Sequence, residues 1–268
     1  MNDDHKRNVL GVLVDVVDLE MATERVMRAA RGTVPYQATA LAVHGVMTGA
    51  LDKKHRARLN SIDLVVPDGQ PVRWALNWLY RAGLESSVRG TDLTLALLAS
   101  AEREGLPVFF YGSTSDTLQQ AHASISSRFP SLQIAGVRPS LFETANQTVQ
   151  ASIARTIRES GAKIVFVGIG CPRQETFVSA MAGQVGMPMI AVGAAFDYLA
   201  GNLREPPLSL RRWGLEWGWR LVLEPRRLWR RYLLLNPAYL FLLALQTARI
   251  YRPVALTSPP GIAVEIAA

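Results

Sequence analysis

The chain holds 268 residues, 49% of them hydrophobic, with a formal net charge of +7. That length gives room for one large α/β domain, or for a domain with an appendage, and so apolar a composition excludes wholesale disorder. One cysteine, Cys171, excludes an intramolecular disulfide framework, so the expected setting is cytoplasmic. Charge is uneven: residues 204–268 carry ten arginines, no lysine and four glutamates, so the C-terminal end is where an anionic partner is expected.

In chain order, the first apolar run, residues 9–17, is short and carries Asp15, which is unlike a secretory signal. Strands are expected at residues 9–14, 38–43, 62–66, 108–111, 164–167 and 189–192. Amphipathic helices are expected at 93–104, 116–129 and 146–160. Several strands close on glycine, as in Tyr111-Gly112, Val167-Gly168 and Val192-Gly193. Repeated strand, glycine turn and helix predicts an α/β fold with a doubly wound, mostly parallel sheet, helices on both faces, and ligands at the carboxyl ends of its strands.

Composition changes at Arg204-Glu205-Pro206-Pro207. Residues 1–203 read as the core, 204–252 as a basic, Trp- and Arg-rich helical appendage, and 253–268 as a loose tail. Three helical segments are expected in the appendage: 208–223, a second opening at Pro225, and a third after Pro237. No apolar run reaches eighteen residues, so a simple spanning helix is not expected. If the second helix is regular, Arg227 and Arg231 share a face, with Leu228, Trp229 and Tyr232 turned away. Arginines beside tryptophans and leucines suit an anionic leaflet; the plainer reading is a helical lid packed on the core. The basic region belongs to no recognised nucleic-acid module, so nucleic acid is not an expected partner.

Three strand ends carry chemistry. Val66-Pro67-Asp68-Gly69 places a carboxylate where a general base is useful, although Asp-Gly is also a common turn. In Gly168-Ile169-Gly170-Cys171-Pro172-Arg173-Gln174-Glu175, two glycines let backbone approach a phosphate at a helix start. It is not a GxGxxG motif, which argues against a nicotinamide-dependent oxidoreductase. Asp197, after Val192-Gly193-Ala194-Ala195-Phe196, either binds a ligand or caps the next helix, and Asp92 invites the same two readings. The four histidines lack metal-ligand spacing, His44 alone standing near the strand-end cleft, and no Asp-x-Asp occurs. A metal-independent site is therefore expected.

Taken in order, these motifs resemble the WecG/TagA/CpsF family of bacterial glycosyltransferases. The matching stretches are Thr39 with His44 in TALAVH, VVPDGQPV (65–72), RGTDL (89–93), GIGCPRQE (168–175), VGAAFDYLAG (192–201), REPP (204–207), GLEWGWRL (214–221) and EPRRLWRRY (224–232). The resemblance implies a Rossmann-like core whose C-terminal appendage docks on the cytoplasmic membrane face. It implies an inverting transferase that moves a sugar from a UDP-sugar onto a polyprenyl-diphosphate-linked sugar in cell-surface polysaccharide synthesis. No cofactor is implied, and homo-oligomerisation is left open. Asp68 matches the family's proposed base. Thr39, His44, Gly69, Asp92, Gly168, Gly170, Gln174, Glu175, Phe196 and Asp197 match substrate-binding positions, and Arg204, Arg220, Arg227, Arg230 and Arg231 are candidates for diphosphate or lipid phosphate. A non-catalytic sugar-nucleotide or lipid-phosphate binding protein is the alternative. Two departures bear on it: the family commonly has Thr-x-Asn where this chain has Thr39-Ala40-Leu41, and an arginine where it has Ser87. Both are expected in the part of the pocket that reads a sugar.

Overall fold

β-branched and aromatic residues dominate the short apolar runs, and alternate side chains leave such runs on opposite faces. A computed structural model describes residues 5–140 and 147–256. A hairpin of β1 (Lys6–Val9) and β2 (Val12–Asp15) forms its own two-stranded sheet and packs against a six-stranded one. The sheet strands are β3 (Tyr36–Leu41), β4 (Leu64–Pro67), β5 (Val108–Gly112), β6 (Ile134–Arg138), β7 (Ile164–Gly168) and β8 (Pro188–Ala191). They run in the order β4-β3-β8-β7-β5-β6, each neighbouring pair parallel.

The expected single strand at 9–14 is corrected to this hairpin. Leu10 and Gly11 both take positive φ (54° and 93°), and the Gly11 amide donates to Asn8 Oδ1 at 2.6 Å, closing a two-residue turn. Strand β6 was not expected. It is a half-buried edge strand, and Gly136 interrupts its apolar pattern because a Cβ there would meet the Phe109 ring at 2.5 Å.

Helices α1 (Leu19–Gly32), α2 (Val43–Leu51), α3 (Lys53–Asn60), α4 (Gln70–Tyr80), α5 (Gly90–Glu104), α6 (Ser115–Arg128), α7 (Gln147–Glu159), α8 (Arg173–Val185) and the short α9 (Ala195–Leu199) connect and cover the strands. Phe110, Phe166 and Ile190 face one side and pack with buried residues of α1, α5, α6 and α9. Tyr111, Val165 and Val167 face the other and pack with α7 and α8, with Tyr111 stacked on Phe177 at 4.5 Å. Burial on both faces is what a parallel sheet requires.

Beyond the sheet lie α10 (Leu208–Arg212), α11 (Glu216–Leu223) and α12 (Pro225–Thr247). The expected continuous helix over 208–223 is broken, because Gly214 takes φ +68° between α10 and α11. The expected break at Pro237 is absent: α12 runs through it. An interior proline removes one helix hydrogen bond and costs roughly 3 kcal/mol in an isolated helix. Burial of Tyr232, Tyr239 and Leu243 offsets that cost, the last two in a third apolar cluster with β1, β2, α2, α3 and α4. Tyr239 Oη also donates to the Pro71 carbonyl at 3.0 Å.

The far end of α12 is tied to the hairpin. Gln246 accepts from the Leu10 amide at 2.9 Å and donates to the Asn8 carbonyl at 2.8 Å. Asn60 and Arg56 donate to the carbonyls of Leu256 and Val254. Residues 257–268 of the expected tail lie outside the described residues. Among the described residues, no helix is long and apolar enough to cross a membrane.

Emptying the Tyr239 site should cost about 3–5 kcal/mol, the range for large aromatic truncations in cores. Urea unfolding of Tyr239→Ala is the check, and an unchanged midpoint would mean that α12 does not belong to this core.

Candidate active site

Parallel strands that end together leave their following loops side by side, so a cleft at the carboxyl edge follows from the topology. Here the loops after β3, β4, β7 and β8 enclose a cavity of about 400 Å³, closed laterally by residues 89–91, α11 and α12. Close approach demands glycine at Gly168, where a Cβ would strike the Phe196 ring at 2.4 Å. Gly170 instead supplies a positive φ (+80°), which turns the chain into α8.

Helices α2, α4, α5 and α8 start at this cavity, none with a side-chain cap. By contrast α1 and α3, which start elsewhere, are capped by Asp18 and Asp52. Uncapped helix starts turn partial positive charge toward the cavity.

A polar truss holds the floor. Thr39 Oγ1 donates to Glu175 Oε1 at 3.0 Å, and Gln174 Nε2 donates to the same oxygen at 2.9 Å. Gln174 Oε1 in turn accepts from the Gly193 amide at 3.1 Å, joining β3, α8 and the loop after β8. Burial pushes the Glu175 carboxyl above its ordinary value.

Asp68, half-buried at the end of β4, lines the cavity. Desolvation first, then the negative charge of Glu216, raises its pKa to about 7, against the opposing pull of Arg89. Arg89 is itself buried and donates to Glu216 at 3.1 Å, Asp92 at 3.2 Å and Glu205 at 3.4 Å. Farther along the wall, Arg220 pairs with Glu224 at 3.0 Å and lies over the Tyr198 ring, while Arg227 also bonds Glu224. The buried Nε atoms of Arg220 and Arg231 have no hydrogen-bond partner. Guanidinium groups with spare donors suit a phosphate oxygen. His44, depressed to about 4 by burial and by Arg231, is a neutral imidazole at pH 7.

Of the expected site residues, Asp68, His44, Gly69, Gly168, Gly170, Gln174, Asp197, Arg220, Arg227 and Arg231 line the cavity together. Thr39, Glu175 and Phe196 lie buried beneath it. Asp92 stands beside it through Arg89, and Asp197 sits in the first turn of α9 without capping it. Arg204 and Arg230 are exposed and outside the lining; Arg230 lies over the Trp229 ring at 5.2 Å. Tyr232, expected to turn away from Arg231, lines the same cavity, since a buried residue one position on still borders the wall. Of the two departures, Leu41 lines the cavity and Ser87 does not.

Sequence reasoning missed Arg89, Glu216, Tyr198, Trp217 and Asn236 as lining residues. Arg89 and Glu216 both stood inside quoted motifs, but nothing local to either marks their pairing. Among the described residues, no three His, Cys, Asp or Glu side chains form a metal-holding group.

Fold and cavity together define a doubly wound α/β protein that sets carboxylates of raised pKa, Asp68 and Asp197, among guanidinium groups at its strand ends. The chain belongs to the glycosyl transferase WecG/TagA/CpsF family, whose match covers residues 7–253. It is 32% identical over 181 residues to the N-acetylglucosaminyldiphosphoundecaprenol N-acetyl-beta-D-mannosaminyltransferase of Bacillus spizizenii (strain ATCC 23059 / NRRL B-14472 / W23), covering 67% of this chain and 68% of that protein. It is 30% identical over 183 residues to the protein of the same name from Bacillus subtilis (strain 168), covering 68% and 69%.

The raised Asp68 pKa carries a stability signature. The folded protein binds this proton more tightly than the unfolded chain, whose value is the ordinary 3.8. Its contribution to stability is therefore full below that value and lost as pH rises through about 7. Asp68→Asn should raise the melting temperature at pH 8, with the gain vanishing by about pH 4. Calorimetry across that range is the check, and a pH-independent difference would contradict the assignment.

Proposed function

We propose that the chain is an inverting glycosyltransferase that moves a sugar from a UDP-sugar onto a polyprenyl-diphosphate-linked sugar, at the inner face of the cytoplasmic membrane, in cell-surface polysaccharide synthesis. The observation that carries this reading is the shared cavity of Asp68, poised near neutrality, and Arg220, Arg227 and Arg231. The relatives' names supply the acceptor class.

Asp68 takes the proton from the acceptor hydroxyl as that oxygen attacks the donor's anomeric carbon. The bond from that carbon to the UDP oxygen breaks, and UDP leaves with the electron pair. A single displacement inverts the anomeric configuration; retention would need a carboxylate nucleophile. Negative charge on the departing diphosphate meets the arginines of α11 and α12 and the helix starts at the cavity. Asp197 and Gln174, at the glycine-turn side, are assigned to donor hydroxyls, and Leu41 and His44 to the selection of the sugar.

Helix α12 supports the membrane reading. Its solvent side begins with Arg226, Arg227 and Arg230 and continues as Leu233, Leu234, Leu240 and Phe241. Basic residues ahead of an exposed apolar stripe suit an anionic leaflet. Leu240→Asp with Phe241→Asp, both exposed, should abolish co-sedimentation with phosphatidylglycerol vesicles and leave the melting temperature unchanged. Retained binding would rule the stripe out.

Acceptor-dependent UDP release should fall about 10²–10⁴-fold in Asp68→Ala. In the wild type, kcat/KM should climb with pH toward a plateau above about 7, as Asp68 loses its proton. Ligand binding without Asp68-dependent release would instead favour the non-catalytic reading that Leu41 raises.

A further inference from the structure

All six tryptophans of the chain belong to the elements around the cavity mouth: Trp74 and Trp78 on α4, Trp213 between α10 and α11, Trp217 and Trp219 on α11, and Trp229 on α12. Packing does not account for this concentration. Trp78 is 73% exposed and Trp213 is 74% exposed. An indole couples a large apolar ring to one N–H donor, which favours sites where one side is apolar and the other wet.

The exposed indoles are contiguous. Trp74 and Trp78 stand one turn apart on the same face of α4. A Cβ on Gly214 would meet the Trp74 ring at 2.7 Å, so the turn carrying Trp213 and exposed Leu215 lies directly on α4. Gln70 and Pro71 at the start of α4, together with Gly214, line the cavity, and α12 reaches the same place through Tyr239 on Pro71. The indole patch and the Tyr239 side of α12 therefore border one mouth, with the apolar stripe of α12 on that helix's outer side.

We propose that the bilayer-facing surface extends from α12 onto α4 of the sheet domain: Trp78 and Trp213, with Trp74 and Leu215 between them, rest in the headgroup region of an anionic leaflet. This rests on the membrane reading given under Proposed function. Exposed Arg81 at the end of α4 and Arg212 beside Trp213 give the patch a positive rim, which attracts anionic headgroups. The same rim, on a chain of net charge +7, disfavours a second copy as occupant. A lone interfacial helix can roll about its axis. A second line of contact on α4 fixes the roll and holds the cavity mouth toward the leaflet that carries the lipid-linked acceptor.

The test is the full chain carrying Trp78→Ser and Trp213→Ser, neither of which lines the cavity. Partition onto phosphatidylglycerol–phosphatidylcholine vesicles should weaken about tenfold. UDP release with a short-chain, water-soluble acceptor and the melting temperature should stay as in the wild type. Partition equal to wild type overturns the proposal. So does a drop in oligomer mass with vesicle binding intact, which would give the patch to a second copy. A wild-type chain that turns over the soluble acceptor but ignores the vesicles removes the membrane reading and this inference with it. Weakened partition of the double variant, in a chain without turnover, would uphold the inference while the transferase reading fell.

Discussion

One buried guanidinium organises this protein. Arg89 stands at the start of α5 with Asp92, Glu205 and Glu216 around it, and only 8% of its side chain is exposed. Two of those carboxylates belong to the segment that follows the sheet, so the contact joins the sheet domain to α10 and α11. Breaking such a buried pair by removing one partner costs about 3–5 kcal/mol, because the remaining charges lose their compensation. The same cluster sets the electrostatics of Asp68. Beyond the desolvation of Asp68, the negative charge of Glu216 raises its pKa and the positive charge of Arg89 opposes that rise. Closure of the cavity and the electrostatic setting of Asp68 thus share one cluster.

The cavity has two characters. Toward β7 and β8 it is built of glycine turns, backbone amides and the truss through Gln174, which is rigid and small. Toward α11 and α12 it is built of long cationic and aromatic side chains, among them Trp217 and Tyr232 at 6.0 Å. The first side is held by the truss, the second by ion pairs such as Arg220 with Glu224.

Much of this was legible in the sequence because the signals were local. Glycine after an apolar run marks a strand end, and Asp68, Gly168 and Gln174 were found that way. Thr39 and Glu175 were read as facing substrate, yet they brace the floor: sequence spacing assigns a residue to a strand or helix but does not say which neighbour lies across from it. Arg89 and Glu216 stand 127 positions apart, and no periodicity reports such a pairing. Pro237 misled in the other direction. Its intrinsic preference is to end a helix, and only the distant partners of Tyr239 and Leu243 override it.

The third apolar cluster has a consequence for biosynthesis. Val9, Leu10, Val12 and Val14 from the first strands pack with Tyr239 and Leu243 from the last helix, and Gln246 bonds to both Asn8 and Leu10. A nascent chain emerges from its beginning, so the hairpin leaves the ribosome long before its partner exists. Until α12 has been made, the apolar face formed by the hairpin, α2 and α4 stays open to solvent, and the helix that covers it also supplies Arg227, Arg231 and Tyr232 to the cavity. Completion of the core and completion of the cavity wall therefore coincide, and a prematurely terminated chain lacks both.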